Sequence, residues 1–265
     1  FIERSTASNS FTFSRAVGIN FDDHSKNERV WWGYGIFRPS LSDAAAIQDN
    51  KGYLGVVRIA GLPIKGKTVN GAPHILQIGV SFQYRDNRSN EVTLFRARTT
   101  NNLGEHAIDT GTIASGSATI VGFEIAWVRG PVSVQSELFL ANVDGNMGNP
   151  DSSFTGWYVQ VSYWITGESR RWKTSVFSRV TPNANAFDGS GGKGAWEIAL
   201  LFDNTDLNDV DNGVNGNEWT GYTLGLNWHW NPNTRAMFNY VNGNLDDTLT
   251  DGTIHAIMFR LQVDF

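Results

Sequence analysis

The chain has 265 residues, of which 18% are charged and 12% aromatic, with 28 glycines, no cysteine and a formal net charge of -5. This length suits one large β domain, and the absence of cysteine excludes disulfide scaffolds, zinc fingers and iron–sulfur proteins. The acidic balance argues against a nucleic-acid binder, and no run approaches the roughly 18 to 20 apolar residues that a spanning helix needs.

Alternation of apolar and polar side chains, which places them on opposite faces of a strand, recurs along the whole chain. In residues 74–85, for example, Ile78 and Val80 share one phase while Gln77 and Ser81 share the other. The pattern predicts an all-β protein with about twelve strands, and residues 171–180 form a less regular thirteenth segment. In chain order the predicted strands lie at 15–22, 29–38, 52–60, 74–85, 91–98, 119–128, 131–142, 157–165, 195–202, 222–230, 235–241 and 254–265.

The segments between these strands have the composition of turns and loops. Residues 142–153 and 203–218 are rich in Asn, Asp and Gly, and only 41–48 has a helical pattern. Because no linker, low-complexity tract or repeat of fixed length divides the chain, we predict a single domain over residues 1–265.

Aromatic side chains stand near the ends of the predicted strands. In outer-membrane barrels such rings form belts at the two interfaces, since an amphipathic ring is best placed between hydrocarbon and water. The alternative is that they fill the core of a large soluble sandwich. The polar phase favours the barrel, because its Gln, Ser, Asn, Glu and Arg side chains suit a water-filled interior. The predicted belt residues are Trp127, Trp157, Tyr163, Trp228 and Trp230.

Lipid offers no hydrogen-bond partner to an open sheet edge, so strands that face lipid must close on themselves. We therefore predict a transmembrane antiparallel β-barrel surrounded by outer-membrane lipid. The end of the chain supports this prediction, because Phe259, Leu261, Val263 and Phe265 share the apolar phase of a last strand that ends in Phe. Such a strand resembles the signal read by the barrel-insertion machinery of Gram-negative bacteria, which we expect to act on the chain during biogenesis.

Ten short segments, in order along nearly the whole chain, resemble the phosphate-selective porin O and P family of Gram-negative outer membranes. They are residues 1–5 (FIERS), 128–131 (VRGP), 156–160 (GWYVQ), 165–170 (ITGESR), 179–182 (RVTP), 194–197 (GAWE), 206–209 (DLND), 223–228 (TLGLNW), 231–233 (NPN) and 239–241 (NYV).

The resemblance implies a sixteen-stranded homotrimeric porin whose lumen is narrowed by infolded loops and lined by arginines that pass small anions or other hydrophilic solutes. In that family the segment like residues 1–5 lies well inside the chain, so the first strands of the barrel are expected to be missing here. The sequence departs from the family in one respect: Ala199, Leu200 and Leu201 stand where an arginine is expected. Together with the net negative charge, this departure argues against strict phosphate selectivity.

Charged residues in the polar phase are the candidates for the pore wall. An arginine there either contacts a permeating anion, through its planar and permanently charged fork, or pairs with a wall carboxylate. Opposed rows of the two charges would give mild selectivity. The candidate for an infolded loop that sets the pore width is 38–51, and the alternative for this segment is an ordinary surface loop. The candidates are Arg58, Arg85, Arg235 and Arg260, with the carboxylates Glu124, Glu137 and Glu197. Arg96 and Arg98 are further candidates, which share one phase of a strand whose orientation the sequence does not fix.

Three other motifs do not carry their usual chemistry here. Residues 61–68 (GLPIKGKT) match the P-loop pattern, but the residues that follow lead into a strand where a phosphate-binding helix should begin. The acidic residues of 203–211 do not have calcium-loop spacing, and the five histidines do not have metal-ligand spacing. We expect neither a metal nor a cofactor.

Two rivals to a porin stay open. The first is a plugged barrel that acts as a membrane anchor or assembly component. The second is a barrel phospholipase that uses His74 or His255, both in the apolar phase, since catalytic groups are recognised in space and not by sequence spacing. The porin interpretation makes the chain a channel and not an enzyme.

Overall fold

The computed structural model describes residues 1–13, 16–39, 52–87, 92–99, 104–146, 148–173, 175–189, 191–246 and 252–265. It contains one short helix, α1 (Thr6–Phe11), and a 3-10 turn at Val210–Asn212. The strands are β1 (Ala16–His24), β2 (Val30–Pro39), β3 (Tyr53–Lys67), β4 (Pro73–Asp86), β5 (Val92–Thr93), β6 (Arg96–Ala97), β7 (Ile108–Asp109), β8 (Ile113–Arg129), β9 (Val132–Gly145), β10 (Ser152–Trp164), β11 (Arg171–Lys173), β12 (Val176–Ser178), β13 (Ala195–Asp209), β14 (Val214–Asn231), β15 (Thr234–Asp246) and β16 (Gly252–Val263).

Twelve of these strands form one antiparallel sheet. Its order is β1-β2-β3-β4-β8-β9-β10-β13-β14-β15-β16, with β5 attached to β8. Strands that follow one another along this path are hairpin neighbours, which is the topology of an up-and-down sheet. Among the described residues, β1 pairs with β2 alone and β16 with β15 alone, so these two strands are the edges of the sheet.

The predicted all-β class is confirmed, and eleven of the predicted strands correspond to the eleven strands of this path. The prediction for 91–98 is wrong, because that segment forms only the two-residue strands β5 and β6. Its alternation reflects burial inside the molecule, where Phe95 contacts Phe11. Residues 171–180 form the short hairpin of β11 and β12, and the predicted helix 41–48 lies outside the described residues.

The prediction that 203–218 is a loop is also wrong. β13 runs to Asp209 and β14 begins at Val214, so only four residues connect them. This segment has the composition of a loop because polar side chains move to the outer face of the strand there, and not because the strand ends.

The two faces of the sheet exchange character along strands such as β13. We call outer the face that exposes apolar side chains in the middle of the sheet, and inner the face on which α1 packs. On the outer face of β13, Ile198 and Leu200 are 47% and 44% exposed, whereas Asn204 follows farther along. On the inner face, Glu197 gives way to the fully buried Leu207. The far end of the strands is therefore polar outside and apolar inside, as in a soluble protein.

This exchange of character gives the molecule two distinct ends. The short-turn end carries the tight turns at 130–131 and 232–233 and the last residues of β16. The loop end carries the long connection 87–112, which contains β5, β6 and β7. A band of apolar outer side chains lies between the two ends, and polar outer side chains begin where the strands project towards the loops.

An apolar cluster fills the interior near the loop end. Phe11 on α1 lies 5.3 Å from Phe95 and 5.9 Å from Phe139, measured between ring centroids. Gly156 on β10 permits this close packing, since a Cβ there would stand 2.7 Å from the Phe11 ring. The inner side chains of β8 to β15 complete the cluster, which also buries Trp219. In the part of the chain that the structure describes, no helix is long and apolar enough to cross a membrane.

Candidate pore interior

The first residues of the chain cross the inner face of the sheet. The backbone N–H of Ile2 donates to Asn239 Oδ1 at 2.7 Å, and that of Thr6 donates to Asp203 Oδ2 at 2.6 Å. Ser5 begins α1, and its hydroxyl accepts from the N–H of Ser8. Residues 1–13 are therefore held against the wall by buried hydrogen bonds.

The connection between β10 and β13 is the second segment that enters the interior. Trp172 Nε1 donates to Gln77 Oε1 at 2.6 Å, which ties the β11–β12 hairpin to β4. Arg58 on β3 donates to both the hydroxyl and the carbonyl oxygen of Ser175. These contacts place the hairpin across the inner face at the height of the apolar band. The predicted constriction loop 38–51 lies outside the described residues from residue 40 on.

Three cavities follow one another from the middle of the sheet to the short-turn end. The central cavity, of about 480 Å³, lies between the hairpin and the inner faces of β4, β8 and β9. The middle cavity, of about 140 Å³, shares Arg170 with the central one. The lower cavity, of about 290 Å³, shares Arg179 and Arg235 with the middle one and reaches Asp264 beside the end of the chain. Neighbouring cavities therefore adjoin one another, and we call this row of three cavities the passage.

Arg58 and Glu124 form an ion pair in the central cavity. Arg58 Nε and Nη2 donate to the two carboxylate oxygens of Glu124 at 2.9 and 2.7 Å, and Gln77 adds a third donor at 2.9 Å. With the two bonds to Ser175, most of the guanidinium N–H groups of Arg58 are occupied. Of the two roles open to this arginine from the sequence, the geometry favours pairing with the wall.

Glu137 lies directly opposite Glu124 across the β8–β9 pair. Its carboxylate is within hydrogen-bonding reach of the Tyr158 hydroxyl. No guanidinium or ammonium group of the described residues forms an ion pair with it. The central cavity therefore contains one carboxylate that Arg58 neutralises and one that it does not.

Arg170 is a pore-wall residue that the charge pattern missed. Its Nη1 donates to Gln135 Oε1 at 2.9 Å, and its guanidinium carbon lies 4.7 Å from the centre of the Phe177 ring. Gln160 supports Gln135 from the next strand with a bond of 2.8 Å. Arg170 could be found only through the resemblance of 165–170 to the porin family, because a turn has no alternating phase that would show which way its side chains face.

The middle and lower cavities contain both signs of charge. Arg235 donates twice to Gln262 Oε1, at 3.2 and 2.9 Å, and Arg179, also missed, forms an ion pair with Asp264 at 3.1 Å. Glu197 accepts from Asn227 at 2.8 Å. The wall of the middle cavity also contains Ala199, at the place where the family resemblance led us to expect an arginine.

The remaining arginine candidates lie elsewhere. Arg85 contacts the carbonyl of Phe11, and its guanidinium carbon lies 4.2 Å from the centre of the Phe13 ring. Arg260, on the edge strand β16, donates to the carbonyl of Ile2. These two arginines hold residues 1–13 in place and do not line the three cavities.

Arg96 and Arg98 belong to the connection at the loop end. Arg98 Nε donates to the Gly104 carbonyl at 2.6 Å. Partial burial lowers the pKa of the nearby His106 below its ordinary value, and the two guanidinium groups lower it further. The strand that was expected to present these arginines to the pore is not formed.

The predicted belt residues lie on the outer face. Trp127, Tyr163, Trp228 and Trp230 are near the short-turn end, whereas Trp157 lies towards the loop end beside Phe202, at 5.5 Å between ring centroids. Trp196, which was not predicted, stacks on Trp228 at 4.9 Å. Phe259, Leu261 and Val263 are exposed on the outer face of β16, and Phe265, two residues beyond the strand, is exposed as well.

The two histidines that a phospholipase would use have other partners. The His74 ring packs edge-on against Trp127 at 6.4 Å, and His255 Nδ1 lies within hydrogen-bonding distance of Tyr240 and Asn242. Within the described ranges, no serine is hydrogen-bonded to either histidine, and no group of three acidic or histidine side chains is placed to hold a metal ion.

The sequence model of the family described as phosphate-selective porin O and P matches residues 1–265. The chain belongs to this family. Porin O of Pseudomonas aeruginosa is 28% identical over 207 residues, which are 66% of this chain and 45% of that protein. A protein of Caulobacter vibrioides named only as uncharacterized is 26% identical over 250 residues, which are 91% of this chain and 48% of that protein. The chain thus spans about half the length of the curated relatives that it matches.

Family membership places the protein in the outer membrane. The outer apolar band agrees with that location, since outer-membrane strands present apolar side chains to lipid and polar ones to the interior.

Proposed function

We propose that the protein is a diffusion porin that passes small hydrophilic solutes through the interior of its sheet and has no catalytic activity. The passage carries this proposal. Three cavities share arginines and reach the short-turn end, and charged or amide side chains form much of their walls. A passage of this kind exchanges part of a solute's hydration shell for wall hydrogen bonds, which is how porin walls admit polar solutes.

The finer proposal is a mild preference for anions without strict phosphate selectivity. Two arginines of the passage are paired, Arg58 with Glu124 and Arg179 with Asp264. Arg170 and Arg235 keep donors for a passing anion, because among the described residues their side-chain hydrogen bonds go to the neutral amides of Gln135 and Gln262. The carboxylates of Glu137 and Glu197 equal them in number, so the preference is weak and depends on the donors that the two guanidinium groups present to an anion.

Single-channel recording in planar bilayers tests the coarse proposal. A porin gives stable ohmic steps in potassium chloride, and their consistent absence from correctly folded protein would contradict it. The reversal potential under a salt gradient tests the finer proposal. We expect chloride to be modestly more permeant than potassium, and we expect added phosphate to alter the current without saturable block. A cation-selective current would be incompatible with this role for the arginines.

We also propose that the protein assembles as a homotrimer and that its last strand is read by the barrel-insertion machinery. The exposed apolar row of Phe259, Leu261, Val263 and Phe265 supports the second point. Cross-linking of the purified protein in mild detergent, analysed by mass, tests the trimer. Replacing Phe265 by Gln tests the signal, since insertion should fall while the amount of protein synthesised stays the same.

A plugged barrel that acts as an anchor is the second candidate, and one observation favours it. The apolar cluster around Phe11, Phe95 and Phe139 occupies the interior near the loop end. If the cluster closes the passage, folded protein in bilayers will conduct no steps, whereas Phe11→Ala will open the interior and restore them.

A further inference from the structure

The connection between β12 and β13 leaves the interior at the short-turn end and folds back onto the outer face of the sheet. Its first residues, Arg179 and Val180, line the middle cavity. Farther along, the Phe187 ring packs edge-on against Trp228 and Trp230, with ring centroids 5.5 and 5.7 Å apart. Both tryptophans belong to the outer aromatic row, so Phe187 adds a ring to that row from outside the strands.

Phe187 has a backbone conformation that a bulky residue rarely adopts. Its φ is 63°, in the left-handed region that is unfavourable for a phenylalanine. Residues strained in this way persist where their surroundings stabilise them. The contacts with Trp228 and Trp230 cover only part of the side chain, because Phe187 is 78% exposed. The stabilising surroundings of this ring are therefore to be sought outside the chain.

Hydrogen bonds hold the segment that carries Phe187 in this position. The backbone N–H of Asn183 donates to Glu168 Oε1 at 2.9 Å, and the N–H of Ala186 donates to the carbonyl of Trp230 at 2.7 Å. The first bond fixes the segment to the turn after β10, and the second fixes it to the end of β14. Because the ring is already held in place, it loses little conformational freedom when it inserts into another phase.

The neighbourhood of Phe187 on the outer face is the boundary of the apolar band. Trp196 stacks on Trp228 at 4.9 Å, and Ile198 and Leu226, which are 47% and 40% exposed, follow on the same face towards the middle of the sheet. Aromatic rings in such a position lie at the level of the lipid headgroups. In outer-membrane barrels the short turns lie on the periplasmic side, where the leaflet consists of phospholipid.

The charged residues near Phe187 do not select one kind of headgroup. Asp188 and Lys193 are both exposed and carry one charge of each sign. Trp228 Nε1 donates to the carbonyl of Lys193 at 2.8 Å, which places this lysine beside the stacked rings. An apolar tip with charged flanks is the distribution that suits the boundary between hydrocarbon and water. Since the two charges cancel, insertion should depend on the ring and not on anionic lipid.

We propose that residues 183–189 form a membrane anchor that inserts the Phe187 ring into the phospholipid leaflet at the short-turn end. The partner is a lipid surface, which the anchor recognises through an apolar ring and not through the charge of a headgroup. Favourable burial of the ring in lipid offsets the unfavourable backbone of Phe187. The anchor goes beyond the proposed porin function, because it acts whether or not the interior conducts.

A nitroxide spin label at position 187 tests the anchor, and the absence of cysteine from the chain allows one introduced cysteine to direct the label. Labelled Phe187→Cys is reconstituted in phosphatidylcholine vesicles. Electron paramagnetic resonance then measures collisions of the label with oxygen, which concentrates in lipid, and with a nickel chelate, which stays in water. The matched control is Val69→Cys, in the turn between β3 and β4 at the same end, where Val69 is fully exposed.

We expect the ratio of oxygen to nickel collisions to be severalfold higher at position 187 than at position 69, and to stay the same when phosphatidylglycerol is added. Equal ratios at the two positions would overturn the anchor. Protection of position 187 from both reagents would overturn it as well, because it would mean that a protein covers the ring. A high ratio that appears only with phosphatidylglycerol would contradict recognition through the ring.

A second variant decides the question if the label disturbs the fold. Phe187→Asn removes the ring, while asparagine adopts the left-handed conformation more readily than phenylalanine does. The midpoint of urea unfolding in phospholipid vesicles should fall for Phe187→Asn, because the lost insertion outweighs the relieved backbone. Val210→Asn, which replaces an exposed apolar residue at the loop end, should leave the midpoint nearly unchanged. A midpoint for Phe187→Asn at or above that of the unchanged protein would overturn the anchor.

Discussion

Leu224 lies on the outer face of β14, where it is 48% exposed between two rows of aromatic side chains. Tyr222 is two residues away and Trp228 four, which places Leu224 about 7 Å and 13 Å from them along the strand at about 3.3 Å per residue. An arginine near the middle of the hydrocarbon costs about 2 to 4 kcal/mol, and near an interface about 0 to 1 kcal/mol. Because a long side chain at Leu224 can extend towards Tyr222, we expect Leu224→Arg to cost about 2 kcal/mol.

That cost corresponds to a roughly thirtyfold change in the folding equilibrium. Urea unfolding in phospholipid vesicles, followed by tryptophan fluorescence, measures it. The matched control is Thr220→Arg on the same strand and the same face, which lies beyond Tyr222 and should cost less than about 0.5 kcal/mol, as exposed substitutions usually do. If the two variants lose the same stability, the outer face does not meet hydrocarbon at Leu224. Gln160→Arg on the inner face should leave folding nearly unchanged and alter conductance.

Three further predictions concern the interior and the loop end. Trp219, which is 1% exposed, should lose about 3 to 5 kcal/mol on replacement by Ala. Gly243→Ala places a Cβ 2.5 Å from the Trp219 ring and 2.7 Å from the Gly221 Cα, and should cost about 1 to 3 kcal/mol. The part of that cost that comes from the ring should disappear once Trp219 is Ala, and additive losses in a double-mutant cycle would refute the ring contact. Glu124→Gln should shift the reversal potential towards anions. It should also lower the free energy of unfolding by about 1 to 3 kcal/mol, which is less than the loss on breaking a fully buried ion pair because the cavity is open to water. An unchanged reversal potential would show that this carboxylate does not face the current. The imidazole of His106 should titrate by NMR with a pKa below 6.5. Its contribution to stability is therefore complete above pH 6.5 and is lost as the pH falls through the lowered pKa. Arg98→Gln should raise this pKa, and a titration midpoint of His106 above 6.5 in the unchanged protein would be inconsistent with the structure.

The alternating pattern was sufficient to locate the long strands because lipid enforces it. Outer positions such as Val80, Phe123 and Leu226 must be apolar wherever hydrocarbon touches them, and their inner neighbours are free to be polar. The same rule failed where the strands leave the membrane. At Asn204 and Leu207 the two faces exchange character, so a continuous strand had the composition of a loop.

The roles of individual arginines needed the tertiary structure. Arg58, Arg85 and Arg235 share a polar phase and look equivalent in sequence. Arg58 pairs with Glu124, which lies two strands away in the sheet. Arg85 lies against Phe13, and Arg235 donates to Gln262 near the chain end. Which partner an arginine meets depends on register and on the segments that fold inward, and neither is encoded within a single strand.

By itself, therefore, the sequence determined the all-β class, the eleven long strands of the sheet, the apolar face of their middle portions and the family, because each depends on local periodicity or on short motifs. Only the tertiary structure decided which segments occupy the interior. Residues 1–13 and the β11–β12 hairpin enter it through bonds to distant residues such as Asp203 and Gln77. Contacts between residues so far apart in the sequence form only after the sheet has brought its strands together, so no local sequence pattern predicts them.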